Sequence, residues 1–187
     1  MGRIVVTEFM SLDGVVEDPG GDSGYRHAGW TFKIDQGAGG PEFKLKETRE
    51  SKALLLGRVT YQGFAAAWPS VKGEFGDMFN NMPKYVVSKT LDKAEWNNST
   101  VLKGDVVKEV SSLKQKVDGD IVVHGSAQLT QALIEHDLVD ELRLMVFPVV
   151  LGSGKRLFGE SADKLPLRLT ESKTVGDGIA VLTYERG

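Results

Sequence analysis

The sequence predicts an α/β fold with a mainly parallel central sheet, helices on both faces and an antiparallel edge formed by the C-terminal strands. Three observations predict it. Short apolar runs alternate with segments of helical spacing along most of the chain. The stretch from Asp120 to Ile134 passes from a continuous apolar run through Gly125 and Ser126 to Leu129, Leu133 and Ile134, as a buried strand does when it breaks into a helix. Further on, residues 141–147 alternate in polarity, and strands at 165–172 and 179–185 flank Gly176-Asp177-Gly178, as in a closing hairpin.

Taken in order, a strand at 3–9 comes first. A long loop at 10–32 follows, rich in Gly, Asp and Pro, and its Tyr25, His27, Trp30 and Phe32 suit a lid. The alternative is that Trp30 and Phe32 cap the core. The run EFKLKETRESK at 42–52 is helical, with Phe43 and Leu45 its only large apolar residues, so a mostly exposed helix is expected. It feeds Ala53-Leu54-Leu55-Leu56-Gly57-Arg58-Val59-Thr60-Tyr61, a second strand-to-helix corner whose helix, at 58–67, ends near Trp68-Pro69. Strands at 84–88 and 100–102 precede a helix at 105–117, marked by Val106, Val110, Leu113 and Val117 at helical spacing. The strand at 120–123 and a helix at 126–136 complete the alternation before strand 141–147 and a glycine-rich loop at 152–159. No repeat or linker interrupts the chain, and its 187 residues suit one domain.

Composition excludes several classes. With 41% hydrophobic and 26% charged residues and a formal charge of −3, the chain has no general attraction to nucleic acid or anionic lipid. It has no cysteine, hence no disulfide and no thiolate chemistry, and its three histidines, His27, His124 and His136, lack metal-ligand spacing. No apolar run reaches membrane-spanning length, so a soluble, cytoplasmic protein is expected.

In parallel sheets, ligands bind at the carboxyl ends of strands. Asp13, Arg58, Ser88, Lys89, Gly125 and Ser126 all follow strands at that edge. A helix start there offers unpaired N–H groups and a positive dipole end, which suit phosphate. Neither a Gly-x-Gly-x-x-Gly pattern nor a P-loop is present.

These residues resemble a known group. The segments Ser11-Leu12-Asp13-Gly14, Leu56-Gly57-Arg58-Val59-Thr60-Tyr61, Val87-Ser88-Lys89 and Val123-His124-Gly125-Ser126-Ala127-Gln128-Leu129, with the loop at 152–158, are similar to the dihydrofolate reductase-like superfamily. Its branch related to the reductase domain of the bifunctional riboflavin-biosynthesis deaminase-reductase is the nearest in kind, and the resemblance spans nearly the whole chain. It implies an NADPH-dependent oxidoreductase: Gly57, Arg58 and Thr60 on the cofactor phosphates, Ser88 and Lys89 by the adenosine 2′-phosphate, and Gly125, Ser126, Ala127 and Gln128 at the pyrophosphate. It also implies a homodimer, for which the apolar strand 142–147 and the edge hairpin 165–185 offer surface. Two departures stand out, since His124-Gly125 replaces a pair of glycines, and Pro41 occupies the counterpart of the folate reductases' catalytic carboxylate. Glu42, its neighbour, is a candidate acid or a first-turn acid complementing the helix dipole. Asp13 is a candidate substrate contact or a turn residue, and His124 a packed strand-end residue or a contact to cofactor or substrate. The expected chemistry is hydride transfer to a small heterocycle, imine or carbonyl compound, with a non-catalytic NADP(H)-binding sensor or interaction protein as the alternative.

Overall fold

The structure, a computed structural model, describes residues 1–21, 23–160 and 164–187. Its strands are β1 (Arg3–Ser11), β2 (Ser51–Gly57), β3 (Lys84–Val87), β4 (Ser99–Leu102), β5 (Asp120–His124), β6 (Glu141–Phe147), β7 (Leu167–Val175) and β8 (Ile179–Arg186). They form one sheet in the order β4-β3-β2-β5-β1-β6-β8-β7. All pairings are parallel from β4 to β6, while β8 runs antiparallel to β6 and to β7. The helices are α1 (Gly39–Glu50), α2 (Arg58–Ala67), α3 (Glu74–Asn81), α4 (Val106–Lys116) and α5 (Ala127–Glu135). No helix among the described residues is long and apolar enough to cross a membrane.

Strand residues buried on both faces explain the continuous apolar runs. On one face Ile4, Val6, Leu55 and Val123 pack against Val110 and Leu113 of α4 and Leu129 and Leu133 of α5. On the other, Val5, Leu54, Leu56 and Val122 pack with Tyr61 of α2, Phe79 of α3 and Trp96. Phe43 of α1 joins Trp30, Met145, Phe147, Ile179 and Val181.

Three local expectations need correction. First, α1 is not mostly exposed: Phe43, Glu47 and Thr48 are buried against the sheet. Second, a helix not legible from apolar spacing, α3, fills the segment before β3. Gly76 and paired Asn80 and Asn81 are weak helix formers, but Phe75 and Phe79 pack on Trp68, and that packing outweighs propensity. Third, strand 142–147 offers no apolar surface: β6 lies between β1 and β8, and its Leu142, Leu144, Met145 and Phe147 are buried in the core.

The loop at 10–32, whose Asp22 lies outside the described residues, is fastened at many points. The Trp30 indole N–H donates to the Glu17 carbonyl at 2.9 Å, Thr31 Oγ1 donates to the Pro19 carbonyl at 2.6 Å, and Trp30 meets Phe147 edge-on at 5.3 Å. Val15 and Val16 are buried. Trp30 thus caps the core, whereas Phe32 is 77% exposed.

Candidate active site

The two strand-to-helix corners meet. The β2–β5 register pairs Leu55 with Val123, so Gly57 and Gly125, two residues further along each strand, end up side by side. Ser126 joins them: its Oγ accepts from the Gly57 N–H at 2.9 Å and donates to the His124 carbonyl at 3.1 Å, while its own N–H donates to Thr60 Oγ1 at 3.0 Å. Gly125 has φ +55°, and a Cβ there would lie 3.2 Å from both Cγ2 and Oγ1 of Thr60. Only glycine combines that backbone with so close a neighbour. Ser126 is also left-handed, at φ 57°, and its hydrogen bonds hold it there. The first-turn N–H groups of α2 and α5 therefore open side by side at the carboxyl edge of the sheet.

The predicted phosphate residues divide into two groups. Thr60 and Ser126 brace one corner against the other. Arg58 is exposed and donates to Gln62 Oε1 at 3.1 Å, and Gln128 is exposed on the first turn of α5, next to Ala127. Gly57 pairs with Val87 across β2 and β3, which puts Arg58 beside Ser88. Ser88 Oγ accepts from the N–H groups of Thr90 at 3.2 Å and Leu91 at 3.0 Å, forming a tight turn that presents Lys89 to solvent.

A second region lies one strand further along. Pairing of β1 with β5 ends at Thr7 opposite His124, whereas β1 continues beside β6 as far as Ser11 opposite Phe147. Beyond Thr7, the β5 side of β1 is therefore an open edge. Thr7, His124 and Arg143 form a row across the sheet beneath α1. Lys44 of α1 donates from Nζ to Thr7 Oγ1 at 2.8 Å and forms an ion pair with Glu47, one turn on, with Phe9 and Phe43 flanking its ammonium group. Arg143 reaches Glu47 at 3.6 Å and Asp120 at 3.1 Å, and also pairs with Glu141.

Electrostatics set these groups apart. Burial alone would raise the Glu47 pKa, but the nearby positive charges outweigh it and hold Glu47 below the usual carboxylate range. Burial pushes Glu8, the residue after Thr7, well above that range, although Lys44 and the Gly125 backbone oppose it. Glu8 Oε1 is buried with no hydrogen-bond partner. His124 is half-buried, and Phe64 and Phe79 crowd its ring at centroid distances of 6.4 and 5.4 Å. Desolvation, reinforced by Lys44, pushes His124 down to about 3, so it is neutral at pH 7. The cations that keep Glu47 ionised there are consequently Lys44 and Arg143.

Neither predicted catalytic carboxylate lies in this row. Asp13 accepts from Ser11 Oγ at 2.7 Å and from the N–H groups of Leu151 at 3.1 Å and Gly152 at 2.9 Å, with Arg156 at 3.8 Å. Those hydrogen bonds, led by Ser11, lower its pKa to about 2. It clamps the loop after β1 to the glycine-rich loop after β6, as a turn residue would. Glu42 stands exposed in the first turn of α1, beside the exposed Pro41. Sequence reasoning passed over Glu8, Lys44 and Glu47. A signal existed for Glu8, because a charged residue inside a strand of a parallel sheet covered on both faces has to be buried. Lys44 and Glu47 share a helix face at i, i+3, but an exposed ion pair has the same spacing.

Comparison with known proteins agrees with this architecture. The uncharacterized protein YyaP of Bacillus subtilis (strain 168) is 27% identical over 187 residues, covering 97% of this chain and 94% of that protein. A solved structure of RibD from Acinetobacter baumannii superposes with a TM-score of 0.69 at 18% identity, covering 100% of this chain and 58% of that one. Dihydrofolate reductase from Enterococcus faecalis, solved with NADP(H) and a second ligand, superposes with a TM-score of 0.60 at 17% identity, covering 99% of this chain and 96% of that one. The fold is therefore dihydrofolate reductase-like. With a family model for the RibD C-terminal domain matching residues 3–181, the chain belongs to that family.

Proposed function

We propose that this protein is an NADPH-dependent reductase acting on a small heterocycle, imine or carbonyl compound, in the manner of the 5-amino-6-(5-phosphoribosylamino)uracil reductases of riboflavin biosynthesis. The observation that carries the reading is the joined pair of corners, where Gly57 and Gly125 set two helix starts side by side with Arg58 and Lys89 exposed along the same edge. The residues present fit a dinucleotide phosphate: the missing Cβ of Gly125 lets Thr60 lock the two corners together, and cations stand beside the first-turn N–H groups of α2 and α5. The NADP(H) complex of the Enterococcus reductase, which shares the fold, lends support. Arg58, Lys89 and the first turns of α2 and α5 would hold the phosphates, with Ser88 shaping the turn that carries Lys89. The bound cofactor would supply the hydride. The protein's own part is to orient the substrate against the open edge of β1, to exclude water and to place a proton.

A second reading, a nucleotide-binding sensor or interaction protein without turnover, draws on Pro41 and the exposed Glu42, which leave the folate-type acid position empty of a buried carboxylate. Absorbance at 340 nm separates the two. The reductase reading expects NADPH consumption with at least one of an aldehyde, a cyclic imine and an oxidised pterin. Binding of NADPH with no consumption across that panel supports the sensor.

A further inference from the structure

We propose that Lys44 is the proton donor of this site, touching the substrate at the open edge of β1, with Thr7 and Glu47 as the residues that position it. The inference rests on the reductase reading and adds a catalytic residue to it. Strand order supplies its first support. Ser88, the Gly57–Thr60 corner and the Gly125–Gln128 corner follow β3, β2 and β5, successive neighbours in the sheet, and the next strand along that line is β1. A dinucleotide whose phosphates lie on those corners directs its other end toward β1, where pairing with β5 has stopped at Thr7 and His124. Lys44 Nζ is bonded to Thr7 itself, at 2.8 Å.

The second support is the way Lys44 is held. Its side chain is only 13% accessible, and Glu47, its counter-ion, is 1% accessible, so the pair is fixed rather than solvated. Thr7 Oγ1 and Glu47 engage two of its ammonium protons, which leaves a third. Phe9 and Phe43 flank it, at 5.6 and 5.9 Å from Nζ to the ring centroids, and aromatic faces favour an ammonium near a planar ring. The groups facing Lys44 are Thr7 of β1, His124 of β5 and Glu47 of α1, with Arg143 of β6 behind Glu47 and the Glu8 carboxyl within electrostatic reach. Arg143 shares the Glu47 carboxylate, so that charge is divided between two cations and Lys44 is not fully quenched.

The step balances. With a hydride added to the carbon of a C=N or C=O bond, Lys44 gives one proton to the nitrogen or oxygen that has gained the electron pair. The neutral amine left behind regains a proton from water. The substrate class is therefore a conjugated imine or carbonyl whose heteroatom accepts a hydrogen bond from an ammonium group.

The test begins without turnover. In protein labelled with ¹³C at lysine Cε, the Lys44 methylene is assigned by its loss in K44R or, if that variant does not fold, by nuclear Overhauser contacts to the Phe9 and Phe43 rings. The expected result is that saturating NADP⁺ moves this resonance while adenosine 2′,5′-bisphosphate, which lacks the nicotinamide, does not. A Lys44 signal unmoved by saturating NADP⁺ overturns the proposal and leaves the cofactor reading standing. No binding of NADP⁺ defeats the cofactor reading and the proposal together. In turnover with the panel above, K44M should lower kcat by roughly a hundred- to ten-thousandfold, with a much smaller change in KM. A kcat within threefold of wild type overturns the proposal. A protein that binds NADP⁺ but consumes NADPH with none of the probes has no proton to deliver, which overturns the proposal and the reductase reading together and leaves the sensor.

Discussion

His124 illustrates how much a single residue depends on its neighbours. It follows an apolar run at the end of a strand, a place where a packed histidine and a ligand contact look identical in sequence. Its depressed pKa has a definite consequence. An imidazole at about 3 in the folded protein and 6.5 when unfolded leaves the unfolded state holding more protons between those values. Stability from this group is therefore present above pH 6.5 and lost as pH falls toward 3. We expect the melting temperature of the wild type to drop between pH 7 and pH 5, and His124→Asn to show a smaller drop over the same interval. Equal pH dependence in the two proteins would remove His124 as the cause. Glu8 acts in the opposite sense, since its raised pKa makes the folded state hold the extra proton and lose stability as pH rises above the ordinary carboxylate range. Glu8→Gln should therefore flatten the loss of stability on the alkaline side, read by the same melts.

At the scale of elements, β3 depends on a residue that sequence patterning would place outside. Lys84 is 0% exposed, and its Nζ donates to the carbonyls of Asn80 and Met82 at 2.8 Å and of Asn97 at 3.1 Å, beneath the Trp96 ring at 4.1 Å. Burial lowers its pKa to about 8, but three carbonyl acceptors need three protons, so Lys84 carries its charge at neutral pH. It joins the end of α3 to the segment entering β4. Lys84→Met keeps the packing and leaves the carbonyls without a donor, and should cost about 2–5 kcal/mol in denaturant unfolding. A loss below 0.5 kcal/mol, on the order of a surface substitution, would show that water replaces the ammonium. This bond set also shows what was legible. The positions of α2, α4, α5, β5 and β6 follow from apolar period and corner glycines, which are local properties. By contrast, α3 and the inward face of α1 depend on His124, Thr7 and Arg143, partners remote in sequence, and no local pattern announces them. In the site, the glycine corners were legible for the same local reason. The bracing role of Thr60 and Ser126 was not, because each is recognisable only once the other corner is alongside.

For the whole molecule, the edges of the sheet matter most. With β6 between β1 and β8, the sheet ends on that side at β7, nine residues long, whose Arg168 to Thr174 are all exposed and whose Leu169 is 49% accessible. An uncapped edge of that length is a template for pairing with another chain. We propose a homodimer, and light scattering at micromolar concentration should return twice the 20.4 kDa chain mass. A 20.4 kDa species would contradict it.

The central claim is that the joined corners form a site for NADPH, and its 2′-phosphate sets the most direct test. In a chain of net charge −3, that phosphate is held only where cations are placed locally, and Lys89 is exposed on the turn beside Arg58. A hydrogen bond to a charged group is worth about 1.5–3 kcal/mol, so Lys89→Ala should weaken NADPH by roughly ten- to a hundredfold and leave NADH nearly unchanged. Titration of both cofactors into wild type and Lys89→Ala decides the matter. The account predicts NADPH preferred over NADH in the wild type, with much of the preference lost in the variant. Failure of the wild type to bind NADPH at all would contradict it outright.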